Sequence, residues 1–408
     1  IARDRLGQKP LIYYYNDNEL IFSSEINSLM KIVNSKKKLN LEAVDYFLRN
    51  QFIPAPLTIY EKVYKLLPGH YIKWEKKEIT IKKYWSLKFP EKLSVIDNDQ
   101  DLIMQFEELL KYNVKIRLRS DVPVGTLLSG GVDSSLVTAI AAKEYPSLKT
   151  FSIGFEEDNF NELPYAKNVA EKYNTDHTEH ILSVDDAKKY LFKSIDQYGE
   201  PFGDKSSLPS LMVSEIASKD VKVVLNGDGG DELLAGYSKY NKFLTNDYFS
   251  SLTKFRHNIG QKLSRLVINQ PNKTNKLMRS IVRKVDPLSI VLNFNPFVSL
   301  GDRKSLYTEK FHQKIKNIDN NEINHFQHLN SKLPLINQLL YLDYKHYFSN
   351  DLLTKMDIAS MAYGLEARSP LLDHKLIEFT TKLPMRFKIN GDTNKWLLKK
   401  LAEKYISK

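Results

Sequence analysis

Apolar positions along the chain follow two rhythms. Over residues 1–85 they come in short bursts, Leu11–Tyr15, Glu19–Ser23, Tyr71–Trp74 and Ile79–Tyr84, broken by Asn16-Asp17-Asn18, Pro68-Gly69 and Lys76-Lys77. Bursts of that length between turn-forming residues predict strands. Leu41–Leu48 predicts one helix among them, with Asn40 as its cap, and Pro54-Ala55-Pro56 predicts a rigid extended connector. From Asp97 to Lys115 the rhythm changes: Leu102, Ile103, Phe106, Leu109, Leu110 and Val114 recur at helical spacing. Strands are then predicted at Val122–Leu128, Thr150–Ile153, Thr178–Ile181 and Lys222–Leu225. Between them stand helices at Ser134–Glu144, Glu162–Tyr173, Asp185–Gln197 and Leu208–Ser218. Apolar strands alternating with helices predict an α/β fold, a parallel sheet flanked by helices on both faces. Beyond Asp231 the pattern becomes almost entirely helical. The chain thus divides into a β-rich part at 1–90 and an α/β part with a mostly helical end at 91–408.

Composition narrows this reading. The 408 residues are 42% apolar and 11% aromatic, which suits a soluble globular protein of about two domains and excludes disordered and collagen-like chains. No apolar run approaches the ~18 residues that a membrane-spanning helix needs. There is no cysteine, so disulfides, thiolate metal sites and cysteine nucleophiles are excluded within these residues. The opening stretch lacks an apolar signal-peptide core, and a cytoplasmic setting is expected. A chain starting at Ile1 is also expected to be a piece of something longer. The net charge of +11 is concentrated between Lys239 and Lys284, where eleven Lys or Arg stand against Asp247 alone. Apolar residues recur there every three or four positions, so solvated basic faces of amphipathic helices are the ordinary reading, and a nucleic-acid or acidic-surface patch the less favoured one.

Two loops carry the candidate chemistry. In Val122–Ser135 an apolar strand runs into Ser129-Gly130-Gly131, and a helix opens at Asp133-Ser134-Ser135. Adjacent glycines let the backbone approach an anion, and the helix start directs free N–H groups at it. Val132 stands where a Walker lysine would follow, so an ordinary P-loop is rejected. What remains is a phosphate cradle without a lysine, suited to pyrophosphate as leaving group, with Asp133 positioned for Mg²⁺. The alternative is a capped strand-to-helix turn. The second loop, Val223–Glu232, ends another apolar strand and holds Asp228, Asp231 and Glu232. Ligands collect at the carboxyl ends of parallel strands, so both loops can meet at one site. Taken alone, the second loop also reads as a calcium-like or turn-forming acidic loop.

Ser129–Ser135 resembles the signature loop of the PP-loop ATP pyrophosphatases. Together with Asn226–Glu232 and Asp351–Asp373 (DLLTKMDIASMAYGLEARSPLLD), it is similar to glutamine-dependent asparagine synthetase of the bacterial type. Ala2–Leu11, Phe22–Glu25, Pro68–His70 and Tyr84-Trp85 resemble the later part of that family's Ntn-type glutaminase domain, and Thr150–Phe155 and Glu200–Phe202 its synthetase domain. The resemblance implies ATP and Mg²⁺ as cofactors, aspartate or another carboxylate as acceptor, and ammonia from glutamine. The acceptor's carboxylate would attack the α-phosphate to give an acyl-adenylate and pyrophosphate, and ammonia would displace AMP. By matching motif, Ser129, Gly130, Gly131, Asp133, Ser134 and Ser135 would hold the pyrophosphate. Leu127 and Ile153 would flank adenine, Asn226 and Gly227 contact the nucleotide, and Asp133 and Asp231 bind the metal. Asp228 falls where the family often has Glu, tied to adenylate formation, and Asn226 stands where Ser is usual.

The resemblance also implies a catalytic cysteine upstream of Ile1 and a pyrophosphate-steadying lysine after Lys408, so the chain is expected to be truncated at both ends. Lys399, Lys400, Lys404 and Lys408 lie on a terminal helix and do not match that lysine. Glu366 and Arg368 are expected either to orient the acceptor's amino-acid head or to brace two helices. The rival functions are an amidotransferase acting on another carboxylate, such as a sugar acid, and a non-catalytic binder of anionic polymers. No membrane partner is expected, nucleic acid is disfavoured, and a homodimer is among the assemblies open to it.

Overall fold

The computed structural model describes residues 1–33, 37–91, 98–157, 161–240, 298, 305–315 and 333–406. Near the N-terminus, β1 (Ile12–Tyr15) pairs antiparallel with β2 (Leu20–Ser23). The helices α1 (Ile26–Ile32) and α2 (Leu41–Asn50) follow. Asn40 caps α2 as expected, its side chain accepting from Glu42 N and Ala43 N. A third strand, β3 (Val63–Lys65), joins β1 on its other side, and β4 (His70–Glu75) forms a hairpin with β5 (Glu78–Lys83). The sequence pattern did not predict α1 or β3, both of them short. Ile12, Leu29, Ile53 and Val63 close a small core between these elements.

Helix α3 (Asp99–Arg117) starts at the Asn98 cap with Asp99 and Asp101 in its first turn and ends with Lys115 and Arg117, charges that complement its dipole. Five strands then form one parallel sheet. In chain order come β6 (Val124–Leu127), α4 (Val132–Glu144), β7 (Lys149–Phe155), α5 (Leu163–Tyr173), β8 (Asp176–Leu182), α6 (Val184–Tyr198), α7 (Ser207–Ala217), β9 (Val223–Leu225) and α8 (Gly230–Leu234). Helices α9 (Glu309–Ile315) and α10 (Leu335–Asp343) follow, then a π-helical stretch at Tyr344–Leu352 that runs into α11 (Leu353–Met361). The C-terminal part adds β10 (Glu366–Arg368), α12 (His374–Lys382) and α13 (Trp396–Ala402). Strand order is β10-β9-β6-β7-β8.

Two corrections to the sequence reading lie beyond Asp231. Glu366–Arg368 forms the fifth strand, parallel to β9, and Ile389-Asn390 pairs with Thr393-Asn394 in a small hairpin. Both are too short to imprint a period on the sequence. Of the basic segment 239–284, all beyond Tyr240 lies outside the described residues.

The main core joins α3 (Phe106, Leu110, Val114), α4 (Leu136, Ile140) and α13 (Leu397, Leu398, Leu401) against the sheet. The N-terminal part docks on this body through polar contacts. Lys9 Nζ meets Asp357 Oδ1 at 2.6 Å, Lys65 pairs with Glu200, Ala55 N donates to Asn350 Oδ1 at 2.8 Å, and Trp85 Nε1 donates to Glu378 Oε1 at 3.0 Å. Among the described residues no helix is long and apolar enough to cross a membrane.

Candidate functional site

In the sheet order, β7 and β8 lie to one side of β6, and β9 and β10 to the other. The crevice where an open parallel sheet reverses its winding is where ligands sit. The loops leaving β6 and β9 meet there, beside a cavity of about 540 Å³. The first loop is organised by its own hydroxyls: Ser129 Oγ and Ser134 Oγ lie 2.9 Å apart, Ser134 Oγ donates to Gly131 O at 3.2 Å, and Ser129 N donates to Ser134 Oγ at 3.1 Å. Gly130 takes φ +85°, and a Cβ there would stand 2.6 Å from Glu162 O, so the turn requires glycine. Gly227 of the second loop is pressed against the first: a Cβ on it would stand 2.5 Å from Ser134 N. A side chain at either position would separate what the cavity needs together.

Leu127, Ser129, Gly131, Asp133, Ser134 and Ile153 all line the cavity. From the second loop Asn226, Gly227, Asp228 and Asp231 line it as well. Gly130 stands behind the lining as the turn that shapes the loop. Ser135 is 2% exposed, and its Oγ has no hydrogen-bond partner among the described residues.

Asn226 ties the second loop to the strand beside it. Its Nδ2 donates to Asp228 Oδ2 at 2.7 Å, its Oδ1 accepts from Ser369 Oγ at 2.6 Å, and its backbone N–H donates to Arg368 O. Burial raises the Asp228 carboxyl above its usual range, with the Lys355 ammonium and the Asn226 amide pulling the other way. Burial also pushes Asp133 up to about 6; Lys395 opposes the shift, while Asp231 and Asp228 add to it. Glu232, which also lines the cavity, is pushed up to about 8 by burial although the Tyr237 hydroxyl donates to it.

Two lysines escaped the sequence reading. Lys395, in left-handed conformation at the head of α13, places Nζ 2.9 Å from both Asp133 Oδ2 and Asp231 Oδ1. Burial works against its charge, but the two carboxylates prevail and hold the ammonium above its ordinary value. Lys395 was not among the lysines considered from the sequence, Lys399, Lys400, Lys404 and Lys408: tertiary folding brings in a lysine that stands in a turn, just ahead of the terminal helix. Its only local signal is the turn Gly391-Asp392-Thr393-Asn394 before an apolar helix. Lys355 is a buried cation on α11, donating to Ser206 Oγ at 2.6 Å and Asp204 Oδ2 at 3.1 Å. A lone lysine in the run Leu352-Leu353-Thr354-Lys355-Met356 was the available sign.

Glu366 and Arg368 do not line the cavity. Arg368 spends its donors on Glu366 at 2.9 Å and on the carbonyls of Arg117 and Arg119, both at 2.8 Å. The pair braces β10 against the end of α3, the second of the two expected roles. The bracing joins a strand to a helix end rather than two helices.

The residues present fit a hard divalent cation. Asp133 and Asp231 offer oxygen donors only, and Asp133 Oδ1 is buried without a hydrogen-bond partner among the described residues. Among the described residues no three His, Cys, Asp or Glu side chains converge as a complete metal site.

Comparison with known proteins agrees with this geometry. Residues 105–408 match the asparagine synthase family model, and residues 1–85 that of the glutamine amidotransferase domain. A putative asparagine synthetase [glutamine-hydrolyzing] 2 of Methanocaldococcus jannaschii is 40% identical over 266 residues, 64% of this chain and 51% of that protein. Asparagine synthetase [glutamine-hydrolyzing] 1 of Bacillus subtilis is 31% identical over 424 residues, 98% of this chain and 62% of that protein. The amidase chyE of Penicillium rubens is 26% identical, across 100% of this chain and 65% of that protein. The chain thus spans about half to two thirds of the length of these relatives. Since the model match takes in both glycine loops, the strand between Gly364 and Ser369 and the helix behind Lys395, the chain belongs to the asparagine synthase family.

Proposed function

We propose that the protein catalyses ATP-dependent amidation of aspartate to asparagine through a β-aspartyl-AMP intermediate, with ammonia derived from glutamine. The observation that carries the reading is the convergence of both glycine loops, the carboxylates of Asp133, Asp228 and Asp231, and Lys395 on one cavity at the switch point of the sheet. In this reading the N–H groups and hydroxyls of Ser129–Ser135 bind the β- and γ-phosphates, and Lys395 faces the same negative charge. Leu127 and Ile153 flank the base. Asp133 and Asp231 would hold Mg²⁺, which supplies charge neutralisation on the polyphosphate.

The acceptor's β-carboxylate oxygen attacks the α-phosphorus, the bond to the bridging oxygen breaks, and pyrophosphate leaves into the serine-lined loop. Asp228, fixed by Asn226, stands at the reacting end. Ammonia then attacks the acyl carbon and AMP leaves. The reading takes the β-rich residues 1–90 as part of a glutaminase domain. They contain no cysteine, so the thiolate for glutamine hydrolysis would come from residues other than these 408.

Aspartate-dependent pyrophosphate release, measured with ammonium salts as the nitrogen source, tests this. Release that depends on L-aspartate and ATP is expected; its absence overturns the reading. A second reading, amidation of a different carboxylate, draws on the resemblance to relatives named amidases. Pyrophosphate release with another carboxylate and none with aspartate would favour it.

A further inference from the structure

The N-terminal part presents a tightly bonded turn, Arg3–Lys9, to the rest of the molecule. Asp4 Oδ1 accepts from Leu6 N and Gln8 N, both at 3.0 Å, and Asp4 Oδ2 from Lys9 N at 2.9 Å. The buried Arg3 guanidinium donates to the carbonyls of Lys9 at 2.9 Å, Leu66 at 2.7 Å and Gly7 at 3.1 Å. Leu66 directly follows β3, so the turn is fixed both to itself and to the small sheet. A polar network satisfied in this way is rigid.

Two side chains leave the turn for elements that shape the nucleotide cavity. Lys9 Nζ meets Asp357 Oδ1 at 2.6 Å, and Gln8 Nε2 donates to Leu372 O at 3.2 Å. Asp357 lies on α11 and directly follows Met356, which lines the cavity, and Lys355, whose ammonium donates to Ser206 on the same lining. Leu372 packs so closely on Gly229 of the second glycine loop that a Cβ there would overlap its side chain. One rigid turn thus grips both α11 and the support of the loop that carries Asp228. The Asp357 end is the more dependent of the two. Asp357 is 8% exposed with Lys9 as its one ion-pair partner among the described residues, while the Lys9 side chain is half exposed. Burial raises the Asp357 carboxyl above its usual range, and Lys9 opposes that shift.

We propose that Lys9 is a positioning residue for the nucleotide cavity, acting through Asp357 to hold α11 in place against the second glycine loop. Neither Lys9 nor Asp357 lines that cavity; their effect reaches it through Met356 and Lys355. The inference rests on the amide-synthesis reading for the identity of the nucleotide, and goes beyond it by giving the N-terminal part a share in the nucleotide site. Without Lys9 the Asp357 carboxylate is left buried and uncompensated, and α11 shifts to bring it to water. A misplacement of about 1 Å, even when its cause lies far from the chemistry, can cost a site ~10²-fold.

The test is equilibrium binding of MgATP to the whole protein, followed by calorimetry. In folded Lys9→Met the Kd for MgATP should rise about tenfold, and Lys9→Arg should restore most of the affinity. Gln8→Ala, which removes only the contact to Leu372, should raise Kd about threefold. Since the lysine acts through the carboxylate, Lys9→Met combined with Asp357→Asn should bind no more weakly than the weaker of the two single variants. A contact that merely docks the N-terminal part would lower the unfolding midpoint and leave Kd alone. A Kd unaltered in folded Lys9→Met therefore overturns the inference, as do single effects that multiply in the double variant. If Lys9→Met does not fold, Gln8→Ala decides, and an unaltered Kd there is the overturning result. Wild-type protein that binds no MgATP overturns the amide-synthesis reading and the positioning role with it, whereas binding that ignores Lys9 leaves that reading standing.

Discussion

The loops after β6 and β9 serve one cavity but are built by opposite means. The first holds itself: Ser129, Gly131 and Ser134 bond to one another within a span of six residues. The second is held from far along the chain. Ser369 fixes Asn226 and Lys395 reaches Asp231; only the Tyr237 hydroxyl, donating to Glu232, comes from nearby in sequence. A phosphate cradle needs neutral donors, which neighbours can orient. A cluster of carboxylates repels itself and needs counter-charges, which local sequence here does not supply.

That contrast can be broken at several points. The largest effect is expected from Asp133→Asn, since Asp133 belongs to the first loop yet carries a charge of the second kind. Pyrophosphate release should fall roughly 10³-fold with an unchanged circular-dichroism spectrum; substantial retained release would remove the metal-binding assignment. Lys395→Met should cost roughly 10² in rate, with KM for ATP raised. It should also destabilise the ligand-free protein by about 3 kcal/mol, because two partly buried carboxylates lose their shared cation. Denaturant titration reads this, and an unchanged midpoint would mean that the ion pairs contribute nothing.

Glu232→Gln sharpens the comparison through pH. The folded carboxyl titrates at about 8, well above an unfolded glutamate. Protonation therefore favours the folded state, a contribution fully present below about pH 4.3 and lost as pH rises through about 8. Relative to wild type, the glutamine variant should gain about 1.4 kcal/mol between pH 6 and 7; parallel stability curves across that interval would contradict the burial argument. The smallest effect is expected of Ser369→Ala, which removes one donor to Asn226 and should cost about 1 kcal/mol. It should raise KM for ATP a few-fold, while Ser129→Ala, acting within its own loop, leaves Asn226 and Asp228 in place.

The same contrast explains what could be read in advance. The strand, glycine turn and helix start around Ser129–Ser135 are local, so periodicity and turn chemistry expose them. Asp228 and Asp231 were legible as residues, because acids in a glycine loop after an apolar strand are conspicuous. Their partners were not: Lys395 lies 164 positions after Asp231 in number and enters through a left-handed turn that leaves no pattern. Lys355 is hidden in an apolar helix, and β10 is three residues long, too short for alternation to register. Glu366 and Arg368 left two roles open in the sequence, and the bracing one is legible only from their hydrogen bonds to each other and to the end of α3.

The Lys395 ammonium, held between Asp133 and Asp231, makes the ligand-free pocket its own salt. Filling it is then an exchange of ions rather than an addition: a cation arriving for the carboxylates frees the lysine, and an anion arriving for the lysine frees the carboxylates. Neither can enter at full strength alone, because each would strand the charge that the other must match. If the site holds nucleotide and metal as proposed, a pocket of this kind would favour the two ligands as a pair and discourage either from lodging there without the other.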